Sequence, residues 1–242
     1  MTITSINEIQ NKSLPKQEPI LEKMNILITK IKVNNIHNRN GFIYVLSGSG
    51  GSGKTNLLLN FFKSKLMYRN IFDNIYYFCP IASYASIEKH PFEKHDKIYH
   101  ELSVNELENI YQELVETKKD SKAIEYSCII IDDFADALKD KDIIIQLNKM
   151  IIKARHLGCA FIFTLQSYYY FPKQIRKQIT NISIFKPKNF SEWESLSKEL
   201  FNLNKDDSIK LYDFVFDRPY THLDVDTVNN IYCKNFNLLE FE

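Results

Sequence analysis

Ser47-Gly48-Ser49-Gly50-Gly51-Ser52-Gly53-Lys54-Thr55 joins an apolar run, Phe42-Ile43-Tyr44-Val45-Leu46, to a helix-like stretch, Asn56-Leu57-Leu58-Leu59-Asn60-Phe61-Phe62. Residues 48–55 fit G-x-x-x-x-G-K-[ST] in the strand-loop-helix setting that this pattern requires. Backbone N–H groups converge on phosphate oxygens only when side chains are out of the way and several residues adopt positive φ, which glycine does at little cost. The loop opens a helix N-terminus, whose free N–H groups and dipole favour an anion. The chain has 6 glycines, and Gly48, Gly50, Gly51 and Gly53 are four of them. A sequence that otherwise avoids glycine concentrates it where backbone must approach a phosphate. Ser49, Ser52 and Asn56 complete the cradle, Lys54 is placed to reach β- and γ-phosphates, and Thr55 to ligate Mg2+. The ligand implied is a nucleotide, whose base stays open because the loop reads phosphates only.

Outside this stretch the composition is ordinary. The 242 residues are 44% hydrophobic and 25% charged, enough for one α/β domain with a sizeable core. Lys+Arg 31 against Asp+Glu 30 leaves a net charge of +1, so any DNA contact must come from a local patch or a ring of subunits. The four cysteines, Cys79, Cys128, Cys159 and Cys233, form no C-x-x-C pair and suit a reducing compartment. His90, His95 and His100 have no partner cysteines and suggest a solvated charged segment. The N-terminus lacks a basic head and an apolar core, and no apolar run approaches the roughly 20 residues of a membrane span. These features suggest a soluble intracellular protein with no membrane span.

Strand-like and helix-like stretches alternate along the chain. Residues 1–24 suggest a flexible arm, and residues 25–242 a single domain beginning with an edge strand over 25–33. Asn74–Pro80, Cys128–Asp133, Cys159–Leu165 and Asn181–Phe185 are further buried strands. Helices are expected over 55–70, from Ser103 to about Thr117, from about Asp142 to Gly158, over 173–180 and from Ser191. Leu211–Phe216 and Thr221–Val225 suggest a terminal β-hairpin. The alternation predicts a central, mostly parallel sheet flanked by helices, a P-loop fold. Ligands of such sheets bind beyond the carboxyl ends of the strands, where residues 48–55, Asp132, Asp133 and Gln166 all fall.

An apolar strand ending in acids, downstream of a phosphate loop, suits a magnesium site. Asp132 would hold the metal, and Asp133 would orient the attacking water or else cap the next turn. Gln166 would contact the γ-phosphate or the water, or serve as a plain strand-end amide. Arg155, one of five arginines, suits phosphoryl-transfer charge, although a helix end also welcomes a cation. Tyr168-Tyr169-Tyr170-Phe171-Pro172, followed by Lys173, Arg176, Lys177, Lys186 and Lys188, interleaves aromatic and basic groups as nucleic-acid contacts do, or as core aromatics beside surface lysines do.

With these motifs together, the chain resembles the viral genome-packaging ATPases of the FtsK–HerA superfamily, in the poxvirus-like branch found in large DNA viruses and virophages. The resemblance rests on Gly48–Thr55, Ile129-Ile130-Ile131-Asp132-Asp133-Phe134, Lys153-Ala154-Arg155-His156 and Thr164-Leu165-Gln166-Ser167-Tyr168. It implies that Arg155 is a finger reaching into a neighbour's site and Gln166 a sensor. It also implies a homo-oligomeric ring, usually hexameric, that drives double-stranded DNA into a capsid or portal vertex, in the host cytoplasm (virus factory) or the virion. The superfamily often carries Asp-Glu where this chain has Asp132-Asp133. A small-molecule P-loop kinase and a nucleotide-binding scaffold are the alternatives; the kinase would need an arginine-rich lid that five scattered arginines do not supply.

Overall fold

The computed structural model describes residues 3, 5–9, 41–63, 68–88, 90–120 and 125–241. In chain order the elements are β1 (Ile6–Ile9), β2 (Ile43–Ser47), α1 (Lys54–Lys63), β3 (Asn74–Phe78), α2 (Ile81–Ala85), β4 (Ile98–Tyr99), α3 (Val104–Asp120) and β5 (Ser127–Ile131). They continue with α4 (Lys141–Ile152), α5 (Ala154–Leu157), β6 (Cys159–Leu165), α6 (Lys173–Arg176), β7 (Asn181–Phe185) and α7 (Phe190–Phe201). Then come α8 (Lys205–Val215), β8 (His222–Asp226), β9 (Ile231–Lys234) and β10 (Asn237–Phe241).

Among the described residues ten strands form one sheet, in the order β1-β10-β9-β8-β7-β2-β6-β5-β3-β4. From β7 to β4 neighbouring strands are parallel, and from β7 to β1 they are antiparallel. The parallel strands are continuously apolar because both their faces are covered, and alternation along each strand deals its side chains to two cores. Ile43, Val45, Ile129, Ile131, Phe161 and Phe163 face the core that holds α3, α4, α7 and α8. Tyr44, Leu46, Cys128, Ile130, Ala160 and Ile162 face the core under α1.

Local chemistry sets the helix ends. Asp140 caps α4, its Oδ1 accepting from the N–H groups of Asp142 (2.8 Å) and Ile143 (3.3 Å). Ile143, Leu147, Met150 and Ile151 then repeat at helical spacing and are buried. Gly158, at φ 63°, closes α5 in the left-handed conformation that suits glycine.

Three expectations are corrected. Leu211–Phe216 is not a strand: residues 205–215 form α8, capped by Asn204, whose Oδ1 accepts from Asp207 N–H at 2.9 Å. Asp207, Ser208, Leu211 and Val215 are its buried side chains, a spacing of three to four that mixed polar residues disguise as alternation. The C-terminal hairpin lies further on, between β9 and β10, turned by Asn235 (φ 47°) and Phe236 (φ 66°); two successive positive φ values match the strand twist in such two-residue turns. The second correction concerns the arm. Residues 6–9 pair antiparallel with β10, and Ile3 N–H donates to buried Asp207 at 3.0 Å, so the start of the chain is an edge of the sheet. The strand expected over 25–33 lies outside the described residues. The third is His90, which is buried beneath Tyr84 and beside Tyr77 and Phe92, where burial lowers its pKa to about 4.

Candidate functional site

β2, β5 and β6 lie side by side with Ser47 opposite Leu165 and Ile131 opposite Phe163, so the residues just past their carboxyl ends share one edge. The glycine loop is tied to this edge by Gly48 N–H, which donates to Leu165 C=O at 3.0 Å. Gly48 has to be glycine, since a Cβ there would meet Phe185 Cβ at 2.6 Å. Gly53, at φ +103°, takes a backbone conformation that other residues rarely adopt. Lys54 bends back over the loop, and its Nζ donates to the carbonyls of Gly48 (2.7 Å) and Ser49 (2.9 Å). Burial draws its pKa down, while the charges of Asp133 and Asp132 pull the other way.

Asp132 is 1% exposed and heavily hydrogen-bonded. Its Oδ1 accepts from Thr164 Oγ1 (2.5 Å) and Thr55 Oγ1 (3.4 Å), and its Oδ2 from Tyr77 OH (3.0 Å). Thr164 Oγ1 also accepts from the N–H of Asp133 at 3.0 Å, so one hydroxyl on β6 positions both acids. Asp133 stands at φ 60°, which a non-glycine residue holds at a cost of about 1–2 kcal/mol. That conformation exposes its carboxylate on the loop side. Oδ1 accepts from Gln166 Nε2 (3.2 Å) and Oδ2 from Ser83 Oγ (3.1 Å), so its partners are two side chains that converge on it. Thr55 and Asp132 offer a hydroxyl and a carboxylate oxygen to one point, a donor set that fits a hard cation such as Mg2+.

A cleft of about 680 Å3 opens over these groups, lined by Gly51, Lys54, Thr55, Ser83, Asp133 and Tyr220 among others. The exposed Asn56 extends the cradle along α1. Lys54, Thr55, Asp132, Asp133 and Gln166 are thus brought together with the loop. Arg155 is not. Its backbone packs on Gly41, where a Cβ would meet Arg155 N at 2.4 Å. Gly41 precedes β2 and the phosphate loop follows it, so the five residues of β2, roughly 16 Å of strand, lie between Arg155 and the loop. The exposed Arg155 sits at the opposite edge of the sheet from the glycine loop.

Sequence reading passed over Thr164, Tyr77 and Ser83 as site residues. Thr164 carried the clearest signal, as the one polar side chain in the apolar run 159–165. In the aromatic-basic stretch, Tyr168 and Phe171 are core residues, while Tyr169 and Tyr170 are exposed. Arg176 is also buried, pairing with Glu199 at 2.8 Å and stacking on Tyr168 and Tyr169, which removes it from any solvent-facing patch. Lys173 and Lys177 are exposed.

Burial dominates the shift of Asp132, raising its pKa; the bonds from Thr164 and Tyr77 oppose this and the charge of Asp133 adds to it. With the folded pKa above the unfolded one of about 4, the contribution of this group to stability is complete below that value and falls as pH rises through the folded pKa. Asp132→Asn is therefore expected to raise the unfolding temperature at pH 7 without nucleotide. A variant that melts below wild type at that pH contradicts the assignment of a buried, strained charge.

The family model described as Poxvirus A32 protein matches residues 28–231. Among solved structures, the chain is similar to the genome packaging NTPase B204 of Sulfolobus turreted icosahedral virus 2 in complex with AMPPCP, at 19% identity and a TM-score of 0.57, covering 80% of this chain and 96% of that one. EssC (ATPases 2 and 3) of Geobacillus thermodenitrificans has 17% identity and a TM-score of 0.58, covering 84% of this chain and 40% of that one. The cytoplasmic domain of the Type VII secretion ATPase EccC of Thermomonospora curvata has 11% identity and a TM-score of 0.56, covering 83% and 25%. At such identities these likenesses establish the fold. No curated protein matches the chain in sequence.

Proposed function

The chain belongs to the poxvirus A32 protein family, and from that premise we propose that it is an ATP-hydrolysing motor that drives double-stranded DNA into a preformed viral capsid, as a homo-oligomeric ring in the host cytoplasm or the virion. The observation that carries this reading is the convergence of Lys54, Thr55, Asp132, Asp133 and Gln166 on one glycine loop. That the B204 structure holds AMPPCP supports ATP as the ligand.

Each group then has a task. Free backbone N–H groups of the glycine loop and of the first turn of α1 bind the phosphates, and Lys54 Nζ exchanges its loop carbonyls for β- and γ-phosphate oxygens. Mg2+ held at Thr55 and Asp132 would neutralise charge developing on the β- and γ-phosphates. Asp133 orients the attacking water and takes its proton while Gln166, hydrogen-bonded to it, senses whether the γ-phosphate is present. Gln166 leads directly into the turn bearing Tyr169 and Tyr170, so a change at the nucleotide is passed to exposed aromatic groups beside Lys173 and Lys177, a surface suited to DNA. Arg155 lies too far from its own subunit's loop to serve it, which suits a finger donated to a neighbour in a ring.

Displacement of a triplex-forming strand from linear duplex DNA tests translocation. The strand is expected to be released with ATP and Mg2+ and retained with a non-hydrolysable analogue. Steady ATP consumption with no release contradicts a DNA motor.

A further inference from the structure

The groups that surround the reacting end of the triphosphate, Asp132, Asp133 and Gln166, lie on the β5 and β6 side of the loop. The other neighbour of β2 is β7, on the side of the loop away from those groups. There a second cleft, of about 440 Å3, runs beside α1 and is lined by Gly53, Asn56, Asn60, Phe185, Tyr220 and Phe236 among others. Its floor is aromatic: His222 lies 5.0 Å from Phe185 and 4.9 Å from Phe236 between ring centroids. Asn56 and Asn60 place amides, donor and acceptor both, along one wall.

Residues 218–221 line the cleft as well, on a surface turn, 217–221, that is anchored at both ends. Buried Lys234 pins its start, donating to Asp217 Oδ2 (2.9 Å) and Phe214 C=O (2.7 Å), and Thr221 Oγ1 donates to the Arg218 carbonyl at 2.8 Å. Between these anchors Tyr220 adopts φ 64° and leaves its side chain 72% exposed. A left-handed tyrosine whose ring is mostly in solvent contributes little to folding. Its ring nonetheless borders the phosphate loop: a Cβ at Gly53 would sit 3.6 Å from Tyr220 Cδ1.

We propose that this cleft holds the nucleoside of the bound nucleoside triphosphate, with the base stacked on Tyr220 and its edge facing Asn56 and Asn60. This rests on the reading of residues 48–56 as the triphosphate site. The strained backbone at Tyr220 then has a use, since it presents an aromatic face to a flat ligand that arrives with the phosphates. Stacking is tolerant of base identity and favours the larger purine ring.

The test is calorimetric binding of ATP and of inorganic tripolyphosphate, both with Mg2+, to wild type, Tyr220→Phe and Tyr220→Gly. Glycine accepts the positive φ and removes only the ring, so the fold is retained. Tyr220→Gly is expected to weaken ATP about tenfold or more and to leave tripolyphosphate unchanged, while Tyr220→Phe binds both like wild type. Unchanged ATP affinity in Tyr220→Gly, or equal weakening of both ligands, overturns the proposal. Failure of wild type to bind tripolyphosphate, or equal binding by Lys54→Ala, would instead overturn the triphosphate reading on which it stands.

Discussion

Lys54→Ala is expected to lower ATP turnover by about 10²–10³-fold or more, because it removes the ammonium that the loop holds for the β- and γ-phosphates in a partly enclosed site. Nζ lies on the loop itself, bonded to the carbonyls of Gly48 and Ser49, so it needs only to turn toward an arriving phosphate. Lys54 itself lines an open cleft, so water can take the place of its ammonium when that is lost. The unfolding temperature should therefore change little. Steady-state hydrolysis and thermal unfolding of the same preparation separate the two effects, and near-normal hydrolysis would remove the site from this loop.

Arg155→Ala is expected to retain ATP binding and lose about 10³–10⁵-fold in kcat, the range of an arginine that stabilises a phosphoryl-transfer transition state. The position of Arg155 makes this prediction unusual: the full length of β2 separates it from its own phosphate loop. Any catalytic effect must then cross a subunit boundary. Arg155→Ala and Lys54→Ala, each inactive alone, should recover activity when mixed before assembly, because a Lys54→Ala subunit still donates Arg155 to a neighbour with an intact loop. At equal mixing roughly a quarter of the interfaces would be complete, if heterologous contacts form at random. Mixtures that stay as inactive as their components would refute the shared site.

Much of the fold was legible because its signals are local. The glycine loop, the continuous apolar strands 128–131 and 159–165, and the stop at Gly158 each declare themselves within a few residues. What escaped depends on distant partners. Residues 6–9 become a strand only because β10 offers an edge, and 205–215 a helix because Leu211 and Val215 find the core at helical spacing. Thr164 and Tyr77 looked like strand residues until Asp132 was placed between their hydroxyls. Tyr220 sat in what looked like a hairpin turn, and its nearness to Gly53 arises from the antiparallel half of the sheet folding beside β2. Arg155 lies just before β6, whose far end leads to Gln166, and so falls at the other end of the sheet from the glycine loop.

The most direct measurement is specific ATPase activity across a protein concentration series, with and without linear double-stranded DNA. A ring with shared sites acting on DNA predicts a rate per subunit that climbs with concentration as subunits assemble, then climbs further when DNA is added. A rate per subunit that is constant across the series and indifferent to DNA would contradict it.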